Sequence, residues 1–162
     1  MADRPAGLLL VAAIAVALSG CVDRDGQPTE RTTSVSPPPV RTDREPIASR
    51  FPNLGDFVEV HWQASTAGTD DPGVPGPTDT RIEAVVVLRP DTLAAALKRY
   101  EWSPAPAGWA ELLSTGLRPF LPDGGTWHAN DQYAEDVRTT HYNGLVYLDT
   151  STGTVILRVI DS

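Results

Sequence analysis

The chain has 162 residues, of which 41% are apolar and 21% charged, and its formal net charge is −8. This length accommodates one domain with appendages, and the composition is typical of a globular core. The charge is confined to residues 51–162, where 7 basic residues face 15 acidic ones, because residues 1–21 and 22–50 are each neutral. An acidic domain repels polyphosphate, so we expect no nucleic-acid partner.

An apolar run of 12 residues, GLLLVAAIAVAL, occupies residues 7–18. A helix of this length spans about 18 Å of a hydrocarbon core about 30 Å thick. Extending the run to every uncharged residue, 5–22, reaches the lower limit of a membrane-spanning segment, so an uncleaved anchor is one interpretation. A short basic start, an apolar segment and small residues at its end are typical of a cleaved signal peptide, which is the interpretation we favour.

The apolar run ends in Leu18-Ser19-Gly20-Cys21, and Cys21 is the single cysteine of the chain. This tetrapeptide resembles the lipobox of bacterial lipoproteins. The resemblance implies that a transferase joins diacylglycerol to the Cys21 sulfur and that a peptidase then cuts the chain before Cys21. Two or three acyl chains hold a protein stably on a membrane where one chain does not. We therefore expect a lipid anchor at the extracytoplasmic face of the cell membrane.

Residues 22–50 contain five prolines, many small polar residues and almost no large apolar side chain. Such a segment cannot repay the entropy of folding, so residues 21–50 are predicted to form a disordered tether behind the signal peptide of residues 1–20. The alternative is a proline-rich ligand for a partner. A single lysine among many arginines and alanines is typical of a high-GC genome, and the chain resembles the small lipoproteins of high-GC Gram-positive bacteria.

Residues 51–162 are predicted to form the folded domain. Alternating polarity predicts strands over 57–64 and 81–88, joined by a loop at 66–80 that is rich in Gly, Pro and Asp. In the first strand, alternation places Val58, Val60, Trp62 and Ala64 on one face and Phe57, Glu59, His61 and Gln63 on the other.

Helical spacing of apolar residues predicts a helix over 91–101, and a shorter helix is predicted over 108–115. Further strands are predicted over 136–142, 145–149 and 154–160, with Asn143-Gly144 as the tight turn of a hairpin. Prolines and glycines interrupt residues 117–135. This order predicts an α+β fold with a single antiparallel sheet and about two helices packed on one face.

Polar side chains on the first two strands form the candidate site, a polar pocket of Glu59, His61, Gln63, Arg81 and Glu83. A histidine beside a carboxylate has acid–base capacity, which suggests an envelope hydrolase or a small-ligand-binding protein. The alternative is the solvated face of a half-buried sheet.

Metal chemistry has weaker support in the sequence. His61, His128 and His141, with Asp131, could meet at a zinc ion, but no pair has ligand spacing, and we expect neither a metal nor a cofactor. The aspartates of the 66–80 loop lack the alternation of a calcium loop, although so long a loop favours a contact surface.

The sequence also lacks the nucleophile motif G-x-S-x-G and the phosphate-binding loops. Four tryptophans could line a carbohydrate or peptide site, but a domain without disulfides also needs their area in its core. We therefore expect a binding or accessory module with an envelope protein as partner, rather than an enzyme.

Overall fold

The computed structural model of the chain describes residues 37–67 and 79–161. The predicted lipobox, Leu18 to Cys21, lies outside the described residues, as do residues 22–36 of the predicted tether and residues 68–78 of the predicted loop. In the part of the chain that is described, no helix is long and apolar enough to cross a membrane.

Six strands form one antiparallel sheet, which confirms the predicted α+β fold. They are β1 (Phe57–Ala67), β2 (Asp79–Leu88), β3 (Ser103–Pro104), β4 (Trp127–Ala129), β5 (Tyr142–Asp149) and β6 (Thr154–Asp161). Their order across the sheet is β1-β2-β6-β5-β4-β3. The C-terminal hairpin β5–β6 therefore pairs directly with the first hairpin, and the sheet unites both ends of the domain.

Three α-helices pack on one face of the sheet: α1 (Glu45–Arg50), α2 (Pro90–Arg99) and α3 (Asp131–Arg138). Each contributes a buried apolar side chain to one cluster, namely Ile47, Ala96 and Val137. The same cluster contains Val86 and Leu157 of the central strands. Helix α2 agrees with the helix predicted over 91–101, and α1 is an addition to the prediction.

The start of β1 departs from strict alternation. A bulge between Phe57 and Glu59 places two residues where regular pairing allows one. Phe57 is therefore 2% exposed in the core, whereas Val58 is 52% exposed. The prediction that Val58 lies with Val60 and Trp62, and Phe57 with Glu59, was wrong, because one inserted residue inverts the alternation.

The folded unit begins before the predicted boundary at residue 50. Ile47 of α1 is fully buried. Arg41 and Trp62 exchange backbone hydrogen bonds of 2.7 and 2.9 Å, so this segment pairs with the outer edge of β1. The prediction of a disordered tether was wrong for residues 37–50, because one isoleucine and the edge of a strand order a segment of otherwise low hydrophobicity.

The strand predicted over 136–142 is also wrong, because residues 136–138 end α3, residues 139–141 form a turn, and only Tyr142 lies in a strand. Asn130 caps α3 by accepting a 2.7 Å hydrogen bond from the Tyr133 N–H at its side-chain oxygen. Tyr133 and Val137, four residues apart, are buried on one side of the helix. The predicted three-strand meander is therefore a two-strand hairpin preceded by a helix.

Asn143-Gly144 lies within β5 and is not a turn. Gly144 has φ of 146°, a conformation that L side chains rarely adopt, and a Cβ there would overlap the backbone oxygen of Arg158. The glycine thus permits close approach of β6. The turn that joins β5 to β6 spans residues 150–153, between the strands predicted over 145–149 and 154–160.

The other face of the sheet is covered by the irregular segment between β3 and β4. The predicted helix over 108–115 is a single 3-10 turn, Trp109–Leu112, and a second such turn is Arg118–Phe120. Leu113 and Leu117 of this segment are buried against Ile156 of the sheet. The segment therefore acts as a cover, and each face of the sheet has a buried apolar cluster.

The carboxylate of Asp149 organises the β5–β6 turn. It accepts hydrogen bonds from the N–H groups of Thr126 and Ser151, at 2.9 and 3.0 Å, and from the hydroxyls of Ser151 and Thr152, both at 2.7 Å. Burial by itself raises the pKa of this carboxyl, but these hydrogen bonds outweigh burial and hold its pKa below the ordinary value.

Replacing Ile47 with alanine tests whether α1 belongs to the domain. We expect Ile47→Ala to lower the free energy of unfolding by about 2–5 kcal/mol, because it leaves a cavity in a closed core. The exposed neighbour in the same helix gives the control, Ala48→Ser, which should change it by about 0.5 kcal/mol or less. Urea unfolding measures both, and equal midpoints for the two variants would contradict the assignment.

Asp149 should make stability depend on pH. Its pKa is lower in the folded chain than in the unfolded one, so its stabilisation is present above the unfolded value of about 3.9 and is lost as the pH falls through the folded value. We expect Asp149→Asn to cost about 1–3 kcal/mol at neutral pH and less below about pH 4. The exposed Asp123→Asn serves as control. A cost of Asp149→Asn that does not change with pH would refute this role.

Candidate functional site

The polar side chains of β1 and β2 lie under the cover segment. Gln63 is paired with Glu83, and Glu83 is paired with Arg158 of β6. Gln63 and Glu83 are each 4% exposed. We call the row formed by Gln63, Glu83 and Arg158, with Ser114 above it, the polar strip.

Glu83 is the centre of the polar strip. Its Oε1 lies 3.3 Å from Arg158 Nε and accepts a 3.3 Å hydrogen bond from the Ser114 N–H. Its Oε2 accepts hydrogen bonds from the Ser114 hydroxyl and, over 3.4 Å, from Gln63 Nε2. A buried carboxylate is tolerated only with a cation and several donors around it, and Glu83 has both.

The polar strip joins the cover segment to the sheet. Ser114 directly follows the buried Leu113 in the cover, and both of its donors reach Glu83. Two residues later the chain passes so close that a Cβ at Gly116 would lie 3.3 Å from Gln63 Oε1. The polar strip therefore orients a segment that has little regular structure of its own.

His61 and Glu59 lie at one end of the same face. His61 Nε2 is 2.7 Å from Glu59 Oε1, and the carboxylate is the more exposed partner, at 59% against 15%. The Phe120 ring stacks on the imidazole at 3.6 Å with an interplanar angle of 9°. Such a pair can hold or transfer a proton, but the ring face of His61 is already occupied by the cover.

Arg81 lies at the other end of the face, opposite Ser65 of β1 and Ile160 of β6. Its Nε is buried. Across residues 37–67 and 79–161, its guanidinium has neither a hydrogen bond nor an ion pair.

The five residues proposed for a pocket share one face of the sheet but form a row. Glu59 and His61 are at one end, Gln63 and Glu83 are in the centre, and Arg81 is at the other end. The central carboxylate is already occupied by its partners. Arg158 and Ser114 were missed. Alternation in the last strand could have placed Arg158 on this face, whereas the irregular cover carries no sequence signal for Ser114.

Two cavities in the described part of the chain are lined by other residues. One of about 180 Å³ lies between β5 and α3. The other, of about 130 Å³, lies beside α2 and includes Tyr100 and Tyr133 in its lining. Burial and a 2.6 Å hydrogen bond to Asp136 raise the pKa of Tyr100 to about 12, so this phenol stays protonated at neutral pH.

The three histidines and Asp131 are not brought together. His128 Nδ1 lies 3.0 Å from the Thr126 carbonyl oxygen, and His141 is exposed. Among the described residues, no three His, Cys, Asp or Glu side chains are grouped so that they could hold a metal ion.

The tryptophans serve mainly as packing. Trp62 is 5% exposed, and the ring of Trp109 in the cover packs 4.5 Å from the ring of Trp127 in β4. Trp102 packs against Tyr133, with ring centroids 5.0 Å apart. Trp102, Trp109 and Trp127 are partly buried in these contacts and do not form an open aromatic platform.

A double-mutant cycle on Glu83 and Arg158 tests the structural role of the polar strip. We expect Arg158→Met to cost about 1–3 kcal/mol in unfolding free energy, because it leaves the Glu83 carboxylate without its cation. Adding Glu83→Gln should recover part of that loss, with a coupling of about 0.5–3 kcal/mol. Urea unfolding measures the cycle, and strict additivity of the two costs would show that the pair is not coupled.

Comparison of the chain with known protein families, with curated proteins and with solved structures found no match. The candidate site must therefore be interpreted from its own geometry.

Proposed function

We propose that the protein is a lipid-anchored extracytoplasmic protein that acts as a binding or accessory module at the cell envelope and not as an enzyme. The observation that carries this proposal is the position of Cys21, which ends Leu18-Ser19-Gly20-Cys21 directly after an apolar run. A run of this length with small residues at its end suits export and cleavage better than spanning. Acylation of Cys21 would then hold the folded domain at the membrane surface.

The described geometry supports binding over catalysis. A general acid–base site needs reactive groups that reach a substrate, and here Glu83 is occupied by Arg158 and Ser114. The His61 ring is covered by Phe120. Polar groups that partner one another stabilise the fold, so recognition is left to surfaces outside the polar strip.

The alternative function, an envelope hydrolase or a small-ligand-binding protein, rests on the 2.7 Å contact between His61 and Glu59. That pair has the chemistry for proton transfer. Either function requires that Phe120, which is 38% exposed, moves off the imidazole before a ligand reaches the ring face. We rank this function second for that reason.

Metabolic labelling tests the anchor. Cells given an alkyne fatty acid should label the wild-type chain, and Cys21→Ser should abolish labelling and leave the longer, uncut precursor, because cleavage follows lipidation. Ser19→Ala keeps a small residue before the cut and is the matched control, which should retain labelling. Equal labelling of wild type and Cys21→Ser would overturn the lipoprotein proposal.

A further inference from the structure

One edge of the sheet is left open along β5. The backbone N–H and C=O of Trp62 point outward, to Arg41. In an antiparallel sheet, two residues that face each other on neighbouring strands point these groups either toward each other or away from each other, and the two cases alternate from strand to strand across a row. The row runs from Trp62 through Ala84 and Leu157 to Val146. Val146 therefore directs its N–H and C=O away from β6, as do the residues two and four positions before it.

These outward groups have no strand beside them. Strand β4 pairs with β5 at Leu148 and Asp149, and does not extend to Val146. Within residues 37–67 and 79–161, no hydrogen bond is made to the outward backbone groups of Tyr142, Gly144 or Val146. Val146 is nevertheless only 2% exposed, and buried backbone groups without partners are unfavourable.

A groove of about 180 Å³ runs along this edge. We call it the β5 groove. Strand β5 forms its floor, α3 contributes Asp131, Ala134 and Arg138, and the remaining wall includes Pro106 and Ala129. An extended chain presents donors and acceptors at a spacing of two residues, so it matches the outward groups of β5 better than a compact ligand does.

Charge indicates which extended chain would bind. The lining of the groove has one carboxylate, Asp131, and one cation, Arg138, so the charge that a partner meets is mainly that of the whole domain. Residues 51–162 as a whole carry 15 acidic and 7 basic residues. A second copy of this domain carries the same net negative charge and is repelled, whereas a cationic segment is attracted to the domain.

We propose that the β5 groove binds an extended, cationic peptide segment of a partner protein, which adds to the sheet as a strand beside β5. This inference deepens the proposed binding function and rests on it. The backbone of β5 supplies affinity through main-chain hydrogen bonds, and Asp131 in the groove lining can pair with a lysine or arginine of the bound segment.

The test uses the full chain in detergent and a fluorescent peptide of alternating lysine and valine. Fluorescence anisotropy should show binding. A peptide of the same sequence that is N-methylated at every residue keeps its charge but loses its main-chain donors, and it should bind more than about tenfold more weakly. A peptide with glutamate in place of lysine should not bind.

Two measurements on the protein show where the peptide binds. Hydrogen exchange should slow at the amides of Gly144 and Val146, and not at Ala64 or Thr66 on the outer edge of β1. Asp131→Asn should weaken binding about two- to fivefold. Asp91→Asn removes the same charge from the first turn of α2, outside the groove, and should leave binding unchanged.

Absence of binding would overturn the proposal. So would equal binding of the N-methylated peptide, or protection confined to the β1 edge, because either shows that charge attraction acts without strand addition. Equal binding of the glutamate peptide would overturn the cationic occupant. Fatty-acid labelling at Cys21 does not depend on the groove, so failure of this inference and failure of the proposed anchor are distinguishable.

Discussion

The structure depends on burying both faces of one sheet in a domain that has no disulfide to hold it, since Cys21 is the single cysteine. Helices cover one face, where Ile47, Val86 and Leu157 belong to a single apolar cluster. The other face is covered by a segment with only two short 3-10 turns. A cover with so few internal hydrogen bonds must be held by its contacts with the sheet.

The polar strip holds the cover on the sheet, but it requires a buried charge. Glu83 is buried under the cover, and burying a carboxylate is unfavourable unless a cation and several donors surround it. Arg158 supplies the cation, and Ser114 supplies two donors from the cover itself. The same contacts that make Glu83 tolerable also fix the position of the cover. This accounts for a row of polar residues inside a sheet without requiring catalysis.

The outer edge of β1 and the outer edge of β5 differ in how they are paired, and this difference bears on function. The N-terminal segment pairs with the outer edge of β1 at Trp62, whereas the edge of β5 is covered by β4 only near Asp149. Natural sheets usually block exposed edges because an open edge invites pairing with another chain. An edge left open inside a groove, in a domain of strong negative charge, is suited to selective pairing.

Local sequence determined much of the fold. Alternation located β2 and β6, helical spacing located α2, and the order of elements gave the α+β class with one sheet. Period-two alternation also placed Glu59, His61, Gln63, Arg81 and Glu83 on one face. The lipobox is likewise a local signal, because processing enzymes read a short linear segment, and the anchor at Cys21 stays a prediction.

Only the tertiary structure decided the rest. One buried side chain, Ile47, orders a segment whose composition predicts disorder, because burial in a shared core outweighs the local average. At Gly144 of β5, strand β6 approaches too closely for a Cβ, so the glycine serves strand pairing and not a turn. No local sequence pattern records this approach. Ser114 and Arg158 meet Glu83 from distant parts of the chain. Such partnerships depend on which elements become neighbours, and the sequence specifies this through the packing of the whole domain.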